Sequence, residues 1–445
     1  MKRIIQFLLA FQARLVLRKY HPTVVAVTGS VGKTSTRNAI AAVLDGRFRV
    51  RSPEENYNNE FGVPLTVIGA KTPGASVIGW LKVHAKAKML WLFRDASYPN
   101  LLALEYGIDR PGDMDTLCKI AAPDVAVFTA VSPVHAEYFN SIEALAYEKA
   151  AIVRHLKKGG IAILNGDDPL VMASVAQVPP PHGEEGTGVV VATVTYGFTE
   201  GLDVRAENYH VETHDILRCN AEQPFCEIHF DLVVGDERAE VALPNLLGRG
   251  QVYAALAAAA VGRHFNMPLS EIVAALRTLQ PQAGRMRPLP GIKETLILDD
   301  SYNAAPASMA SALEVLRFFS PDENARRIAV LGKMAELGRY SENEHRLLGM
   351  RAAEVADILV CVNEEGRDTR RGAIEAGMDE RNVEFFATSV EAGRWLDFNV
   401  KKGDIVLVKG SQSARMEKAV KDLMADPLRA EELLVRQYGA WVTEG

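Results

Sequence analysis

The sequence predicts an α/β fold, because short apolar runs alternate with helical segments along most of the chain. The β-branched run Thr23–Thr28 precedes a turn that contains two glycines, and a helical pattern then covers Lys33–Leu44. Further apolar runs occur at Leu101–Glu105, Val125–Thr129 and Gly160–Leu164, with helical stretches between them. Strands that alternate with helices in this way pair in parallel and are covered on both faces.

The segment from 189 to 243 has a different pattern. It carries short alternating runs such as Val189–Tyr196 and Cys226–Val234, with few helical stretches. This alternation is typical of strands with one covered face, so we expect an antiparallel β section here. An alanine-rich helix over Gln251–Phe265 follows, and Ser270 is expected to cap a second helix that extends to Leu279.

Proline and glycine gather between Pro281 and Pro290, which indicates a domain boundary. Beyond it the alternation restarts, with strands predicted at Thr295–Leu298, Arg327–Leu331, Ile358–Val362 and Ile405–Val408. We therefore predict an N-terminal amphipathic helix (residues 1–22), a central domain with a parallel sheet and an antiparallel section (23–280), and a smaller C-terminal Rossmann-like α/β domain (281–445).

Length and composition narrow the class of protein. A chain of 445 residues is too long for one hydrophobic core. The net charge of -6 argues against a nucleic-acid-binding protein, since such proteins are usually basic. The four cysteines form no CxxC pair, which predicts free thiols in a reducing compartment and hence a cytoplasmic protein; they are Cys118, Cys219, Cys226 and Cys361.

The first twenty residues are apolar but interrupted by Gln6, Gln12 and Arg14, so they fall short of a membrane span. Two interpretations stay open. The segment is an amphipathic helix that docks on the body of the protein, or its apolar face and basic residues contact the inner face of a membrane.

The residues between the first strand and its helix predict a phosphate-binding loop of the short form TGxxGKT. They are Thr28, Gly29, Ser30, Val31, Gly32, Lys33, Thr34 and Ser35. Glycines let the backbone wrap around a phosphate, and the N–H groups and dipole at the helix start favour an anion. Lys33 would neutralise β- and γ-phosphates, and the Thr34 hydroxyl would bind Mg²⁺.

The loop TGSVGKTS resembles that of the Mur ligases, which join amino acids or peptides to peptidoglycan precursors. Further motifs of that family follow in order: NYNNEFGVP from Asn56, EYG from Glu105, NGDD from Asn165, GRM from Gly284, DDSYNAAP from Asp299, LGKMAELG from Leu331 and KGS from Lys409. The segments DDSYNAAP and LGKMAELG resemble the branch that adds D-alanyl-D-alanine to UDP-N-acetylmuramoyl-tripeptide.

The resemblance implies a ligase that uses ATP to form an amide bond through an acyl phosphate. It implies catalytic roles for Lys33, His135, Lys149 and Arg285. Two Mg²⁺ ions would be held by Thr34, Glu105, His135 and a Lys149 carbamylated by CO₂. In the nucleotide, Asn165 would contact the base, Asp300 the ribose and Arg285 the phosphates.

The resemblance also implies the two substrates, a peptide-bearing cell-wall precursor and a D-Ala-D-Ala-like amine. The candidate substrate contacts are Asn58, Asn59, Tyr302, Asn303, His345 and Lys409. Only about 22 residues precede the loop strand, so we expect the family's N-terminal UDP-binding domain to be absent. The family pattern GxHNxxN appears as GRGQVYA from Gly248, and Lys333 stands where the branch usually has aspartate, so we expect altered contacts to adenine and to the amine.

Two alternatives stay open. One is a Mur-like ligase with a different carboxylate acceptor and amine, such as an amino-acid polymer or a cofactor tail. The other is a catalytically inactive nucleotide-binding scaffold. The joint presence of the charged residues named above argues against the scaffold, because a degenerate site is expected to lose some of them.

Overall fold

The computed structural model describes residues 2–53, 57–132, 139–178, 191–214, 224–321, 324–438 and 441. Two sheets with helices packed on both faces organise these residues, which confirms the α/β class. None of the described helices is long and apolar enough to cross a membrane.

The first sheet contains nine strands. They are β1 (Thr23–Thr28), β2 (Val50–Arg51), β3 (Leu101–Glu105), β4 (Val125–Phe128), β5 (Ile161–Asn165), β6 (Ala192–Gly197), β7 (Val204–Thr213), β8 (Cys226–Val234) and β9 (Glu237–Pro244). Their order across the sheet is β2-β3-β1-β4-β5-β6-β7-β8-β9. The loop strand β1 therefore lies between β3 and β4, parallel to both, so polar residues that follow all three strands meet at one edge.

Nine helices of the described chain accompany this sheet. They are α1 (Lys2–Tyr20), α2 (Lys33–Asp45), α3 (Gly62–Ile68), α4 (Val77–Leu92), α5 (Asp113–Ile120), α6 (Ile142–Arg154), α7 (Pro169–Gln177), α8 (Arg249–His264) and α9 (Leu269–Leu276). Helices α2, α8 and α9 cover one face of the sheet, and α1 and α3 to α7 contribute to the core on the other.

The strands at the far side of the first sheet correct one prediction. The prediction of an antiparallel section from residue 189 onwards is wrong for its first strand, because β6 is parallel to both β5 and β7. The reason is that α7 carries the chain back across the sheet between β5 and β6, which makes a βαβ unit. Only the strands from β7 to β9 pair antiparallel.

The predicted cap at Ser270 is also wrong. Helix α9 begins at Leu269, and the carbonyl oxygen of Pro268 already accepts hydrogen bonds from the N–H groups of Glu271 and Ile272 at 3.1 and 3.2 Å. Ser270 is therefore inside the first turn, and the helix ends at Leu276 rather than at Leu279.

The second sheet has six strands in the order β10-β11-β15-β12-β13-β14. They are β10 (Arg287–Pro290), β11 (Leu296–Asp300), β12 (Arg327–Leu331), β13 (Ile358–Val362), β14 (Val383–Phe386) and β15 (Ile405–Lys409). All pairs are parallel except β10 with β11. The helices are α10 (Pro306–Phe318), α11 (Ser341–Ala353), α12 (Gly366–Glu375), α13 (Ser389–Asn399), α14 (Glu417–Leu423) and α15 (Ala430–Leu433).

Apolar contacts join the two sheet regions. Cys226 of β8 and Leu247 belong to the same buried cluster as Met286 and Leu298 of the second region. Cys118, Cys226 and Cys361 are buried, whereas Cys219 lies outside the described residues.

Candidate active site

The loop of residues 28–35 joins the carboxyl end of β1 to the start of α2. Gly29 and Gly32 have φ angles of 148° and 83°, which residues other than glycine rarely adopt. A Cβ atom at Gly29 would also collide with the hydroxyl of Thr129, just beyond β4. The loop is further tied there, since the N–H of Ser30 donates to the Ala130 carbonyl oxygen and Thr129 Oγ1 donates to the Val31 carbonyl oxygen, both at 2.6 Å.

Two lysines, the half-buried Lys33 and the buried Lys149, converge on one carbonyl oxygen of this loop. Lys33 Nζ donates to the Gly29 oxygen at 2.8 Å, and Lys149 Nζ, from α6, donates to the same oxygen at 3.2 Å. Burial lowers the pKa of Lys33. Burial, and then the charge of Lys33, holds the pKa of Lys149 well below its ordinary value. Lys149 is only 2% exposed, so it is not the solvated surface lysine that its type usually predicts.

Glu105, at the end of β3, is the acidic centre of the site. Its carboxylate accepts hydrogen bonds from Thr34 Oγ1 at 2.8 Å, Asn58 Nδ2 at 3.2 Å and Arg37 Nη1 at 3.4 Å. Burial alone would raise the pKa of Glu105, but the neighbouring cations, Lys33 first, outweigh it and lower the pKa. The carboxylate therefore stays ionised beside the Thr34 hydroxyl, and these are two oxygen ligands of the kind that Mg²⁺ prefers.

Arg285 brings the second region to this cluster. Its Nη2 donates to Thr34 Oγ1 at 3.1 Å, and its guanidinium lies 4.2 Å from the centre of the Tyr302 ring. The structure thus places Arg285, Thr34 and Glu105 together, although Glu105 and Arg285 are 180 residues apart in the sequence.

A cavity of about 460 Å³ opens beside the loop. Its lining includes Val31 and Gly32 of the loop, Asn165 at the end of β5, and Gly250 and Tyr253 of α8. Asn165 thus lies in the same cavity as the loop, and its contact with a nucleotide base stays a prediction. The two aspartates after it are turn and cap residues: Asp167 accepts from Tyr253 Oη at 2.8 Å, and Asp168 caps α7.

Asp300 and Lys409 lie at the carboxyl edge of the second sheet. Their Oδ2 and Nζ atoms are 2.6 Å apart, and Lys409 Nζ also donates to the Asn303 carbonyl oxygen at 2.9 Å. Burial raises the pKa of Asp300, and the attraction of Lys409 opposes the shift. Lys409 is therefore buried and paired with Asp300, the residue predicted to contact the ribose.

Other residues predicted for the site make hydrogen bonds within the fold. His345 is fully buried; its Nε2 accepts from the Met334 N–H at 2.9 Å, and its Nδ1 lies 2.8 Å from the Ser341 carbonyl oxygen. Asn59 Oδ1 accepts from the N–H groups of Phe61 and Gly62 where α3 begins. Ser35 is half-buried in the first turn of α2, and His135 lies outside the described residues.

Three residues that sequence reasoning missed belong to the site. Arg37 lies one helical turn after Lys33, and this i,i+4 spacing on one helix face was the available signal. Thr129 follows β4 at the same edge as the loop. Tyr253 lies in the segment where the family pattern GxHNxxN is replaced, and its hydroxyl holds Asp167 beside the cavity.

The fold and this site indicate a nucleotide-dependent enzyme, in which a glycine-containing loop of the first sheet faces an arginine from the region of the second sheet. Comparison with known families agrees with this class. Residues 85–262 match the Mur ligase middle domain, and residues 284–412 match the domain described as Mur ligase, glutamate ligase domain. The chain belongs to the Mur ligase family, whose members are ATP-dependent ligases.

Similar proteins extend over most of the chain. The UDP-N-acetylmuramoyl-tripeptide–D-alanyl-D-alanine ligase of Mycobacterium leprae is 31% identical over 91% of this chain and 74% of its own length. The Bacillus subtilis ligase of that name is 27% identical over 94% of this chain and 79% of its own. The fold is also similar to the crystal structure of the MurF ligase of Thermotoga maritima in complex with ADP, with a TM-score of 0.73 and 27% sequence identity. The match covers 93% of this chain and 82% of the Thermotoga maritima chain.

Proposed function

We propose that this chain uses ATP to join D-alanyl-D-alanine to UDP-N-acetylmuramoyl-tripeptide or to a close peptide-bearing cell-wall precursor. The observation that carries the proposal is the convergence of Lys33, Lys149 and Arg285 with Glu105 and Thr34 around the phosphate loop. The names of the similar ligases from B. subtilis and M. leprae support the choice of substrates.

The chemistry needs charge stabilisation more than covalent catalysis. A carboxylate oxygen of the precursor attacks the γ-phosphorus of ATP, and ADP leaves. The amine nitrogen of the dipeptide then attacks the acyl carbon, phosphate leaves with the bonding electron pair, and the nitrogen loses a proton to give the amide. Lys33 and Arg285 come from different sheet regions and meet at the loop, and both would stabilise the negative charge of the transferred phosphoryl group.

The donor set fits Mg²⁺. Thr34 Oγ1 and the Glu105 carboxylate lie 2.8 Å apart and supply hard oxygen ligands. Mg²⁺ bound there would neutralise charge on the β- and γ-phosphate oxygens. We also propose that His135 contributes to a second ion.

Carbamylation of Lys149 is a proposal that the local chemistry supports. An amine adds CO₂ only when it is neutral, and burial beside Lys33 lowers the pKa of Lys149 in this direction. A carbamate would replace a repelled ammonium by an anion between the cations, and its oxygens would suit Mg²⁺.

We place the amine substrate at the edge of the second sheet, near Tyr302, Asn303, His345 and Lys409. Asn58, which contacts Glu105, would face the acceptor with Asn59. We further propose that the enzyme works in the cytoplasm and that residues 1–20 contact the inner face of a membrane.

Phosphate release from ATP tests the function. With Mg²⁺ and bicarbonate present, we expect release only when UDP-N-acetylmuramoyl-tripeptide and D-alanyl-D-alanine are both added. Release with another acid and amine, but not with this pair, would show a Mur-type ligase of different specificity. No release with any pair, together with unchanged nucleotide binding, would favour the inactive scaffold.

A further inference from the structure

Helices α1 and α4 expose an unusual amount of apolar surface. Of the twenty large apolar side chains that are exposed in the described residues, eleven lie on these two helices or directly after α4. On α1 they are Ile4, Phe7, Leu8 and Phe11, and on α4 they include Val77, Ile78, Leu81, Met89 and Leu92. Contiguous apolar patches of this kind mark interaction sites rather than ordinary surface.

The two helices are firmly attached to the body of the protein. Leu9, Ala13 and Val16 of α1 and Val83 and Ala87 of α4 are buried in one core cluster with strands of the first sheet. Each helix therefore has one face in the core and an opposite face that is apolar and exposed. The exposed face is not needed to hold the helix in place.

Hydrogen bonds fix how the helices lie against each other. Gln12 Oε1 is 2.8 Å from His84 Nδ1, and Lys19 Nζ donates to the Leu90 carbonyl oxygen at 2.9 Å. Later residues of α1 thus meet later residues of α4, so the helices run in the same direction. Phe7 and Leu81 lie in the first halves of the two helices, and both side chains are exposed.

The charge of these helices is opposite to that of the chain. Together they carry eight lysine and arginine residues and no aspartate or glutamate, in a protein whose net charge is -6. Arg18, Lys82 and Lys88 are exposed beside the apolar patch. Trp91 and Phe93 follow at the end of α4, and aromatic residues are frequent where proteins meet the membrane–water interface.

We infer that α1 and α4 together form a surface that binds an anionic lipid bilayer, with both helices in the plane of the interface. An apolar face flanked by lysine and arginine is the arrangement that binds acidic headgroups and acyl chains together. A second copy of the chain fits this surface less well, because a symmetric contact would bring two positively charged helix pairs together. The inference is independent of the ligase chemistry and adds α4 to the contact proposed for residues 1–20.

Co-sedimentation of the full chain with lipid vesicles tests the inference. We expect binding to vesicles that contain phosphatidylglycerol, weak binding to pure phosphatidylcholine, and loss of binding as salt screens the charges. The variants Phe7→Ser/Leu81→Ser and Lys82→Glu/Lys88→Glu should each reduce the partition coefficient by about tenfold or more. Phosphate release without vesicles should be unchanged in both variants, which separates this test from that of the ligase function.

Matched control variants carry the same kinds of substitution at exposed positions away from α1 and α4. Phe398 and Leu428 are 81% and 93% exposed, so Phe398→Ser/Leu428→Ser removes apolar surface away from the patch. Lys158→Glu/Lys401→Glu reverses two exposed charges in the same way. The inference is overturned if the full chain does not bind anionic vesicles, if the controls weaken binding as much as the patch variants, or if the patch variants abolish a dimer instead.

Discussion

The two sheets both end in buried charges at their carboxyl edges, but the charges are balanced differently. At the first edge, Lys33 and Lys149 both donate to one carbonyl oxygen, and loss of contact with water lowers the pKa of each lysine. At the second edge, Asp300 and Lys409 form a pair at 2.6 Å. The first edge has an excess of cationic groups, whereas at the second edge the charges of Asp300 and Lys409 offset each other.

This difference suggests what each edge requires of a ligand. An anion at the first edge would relieve the repulsion between the two lysines, so polyphosphate binding is favoured there. A ligand at the second edge has to compete with a contact that already exists. We therefore expect the first edge to dominate activity and the second to contribute more to stability.

The largest expected effect comes from Lys33→Ala at the first edge. Removing this cation should reduce phosphate release by about 10³-fold, since it stabilises charge that develops during transfer. The matched control is Lys158→Ala, which removes an exposed lysine. Activity of the Lys33 variant within tenfold of the wild type would contradict the assignment.

The next effect concerns the pair at the second edge. Lys409→Met should destabilise the protein by about 3 kcal/mol in urea unfolding, because the buried Asp300 loses its partner. The double variant Asp300→Asn/Lys409→Met should recover much of that loss, since both charges are then absent. Strictly additive effects of the two substitutions would show that the pair is not coupled.

Asp299 tests the second edge by pH. Burial raises its pKa from an ordinary 3.8 to about 6. The protonated form is favoured by folding, so this contribution to stability is present below pH 3.8 and is lost as pH rises through 6. Between pH 3.5 and 7.5 the stability of Asp299→Asn relative to the wild type should therefore rise by up to about 3 kcal/mol. A pH-independent difference would contradict the raised pKa.

The smallest expected effect is at the nucleotide cavity. Tyr253→Phe removes the hydroxyl that donates to Asp167, which should cost about 1 kcal/mol, or roughly a fivefold weaker Kd for ATP. Titration with a fluorescent ATP analogue measures this change. Tyr147→Phe, at an exposed position, is the control, and equal effects of the two substitutions would show that Tyr253 does not act at the cavity.

The sequence was most informative where chemistry depends on consecutive residues. The loop from Thr28 to Ser35 has its predicted place between β1 and α2, and the strands Arg327–Leu331 and Ile358–Val362 have their predicted bounds. These elements depend on local patterns. The parallel pairing of β6 depends instead on α7, which returns the chain across the sheet between β5 and β6. The residues of the strand itself do not indicate this direction.

Site residues that depend on tertiary contact were harder to predict. Arg37 and Tyr253 acquire their roles from Glu105 and Asp167, which are distant in sequence. The pairing of Asp300 with Lys409 and the burial of His345 likewise follow from the packing of the second sheet. The apolar face of α4 carries no sequence motif, so it is recognisable only from its exposure in the folded protein.

The attachment of the phosphate loop to the end of β4 has a consequence for how ATP arrives. Because Thr129 occupies the space beside Gly29 and donates a hydrogen bond to the Val31 carbonyl oxygen, contacts within the protein fix the shape of the loop. Little backbone entropy then remains to be lost on binding. Nucleotide association should accordingly follow a single kinetic phase whose rate rises linearly with ATP concentration, without a slower step in which the loop folds around its ligand.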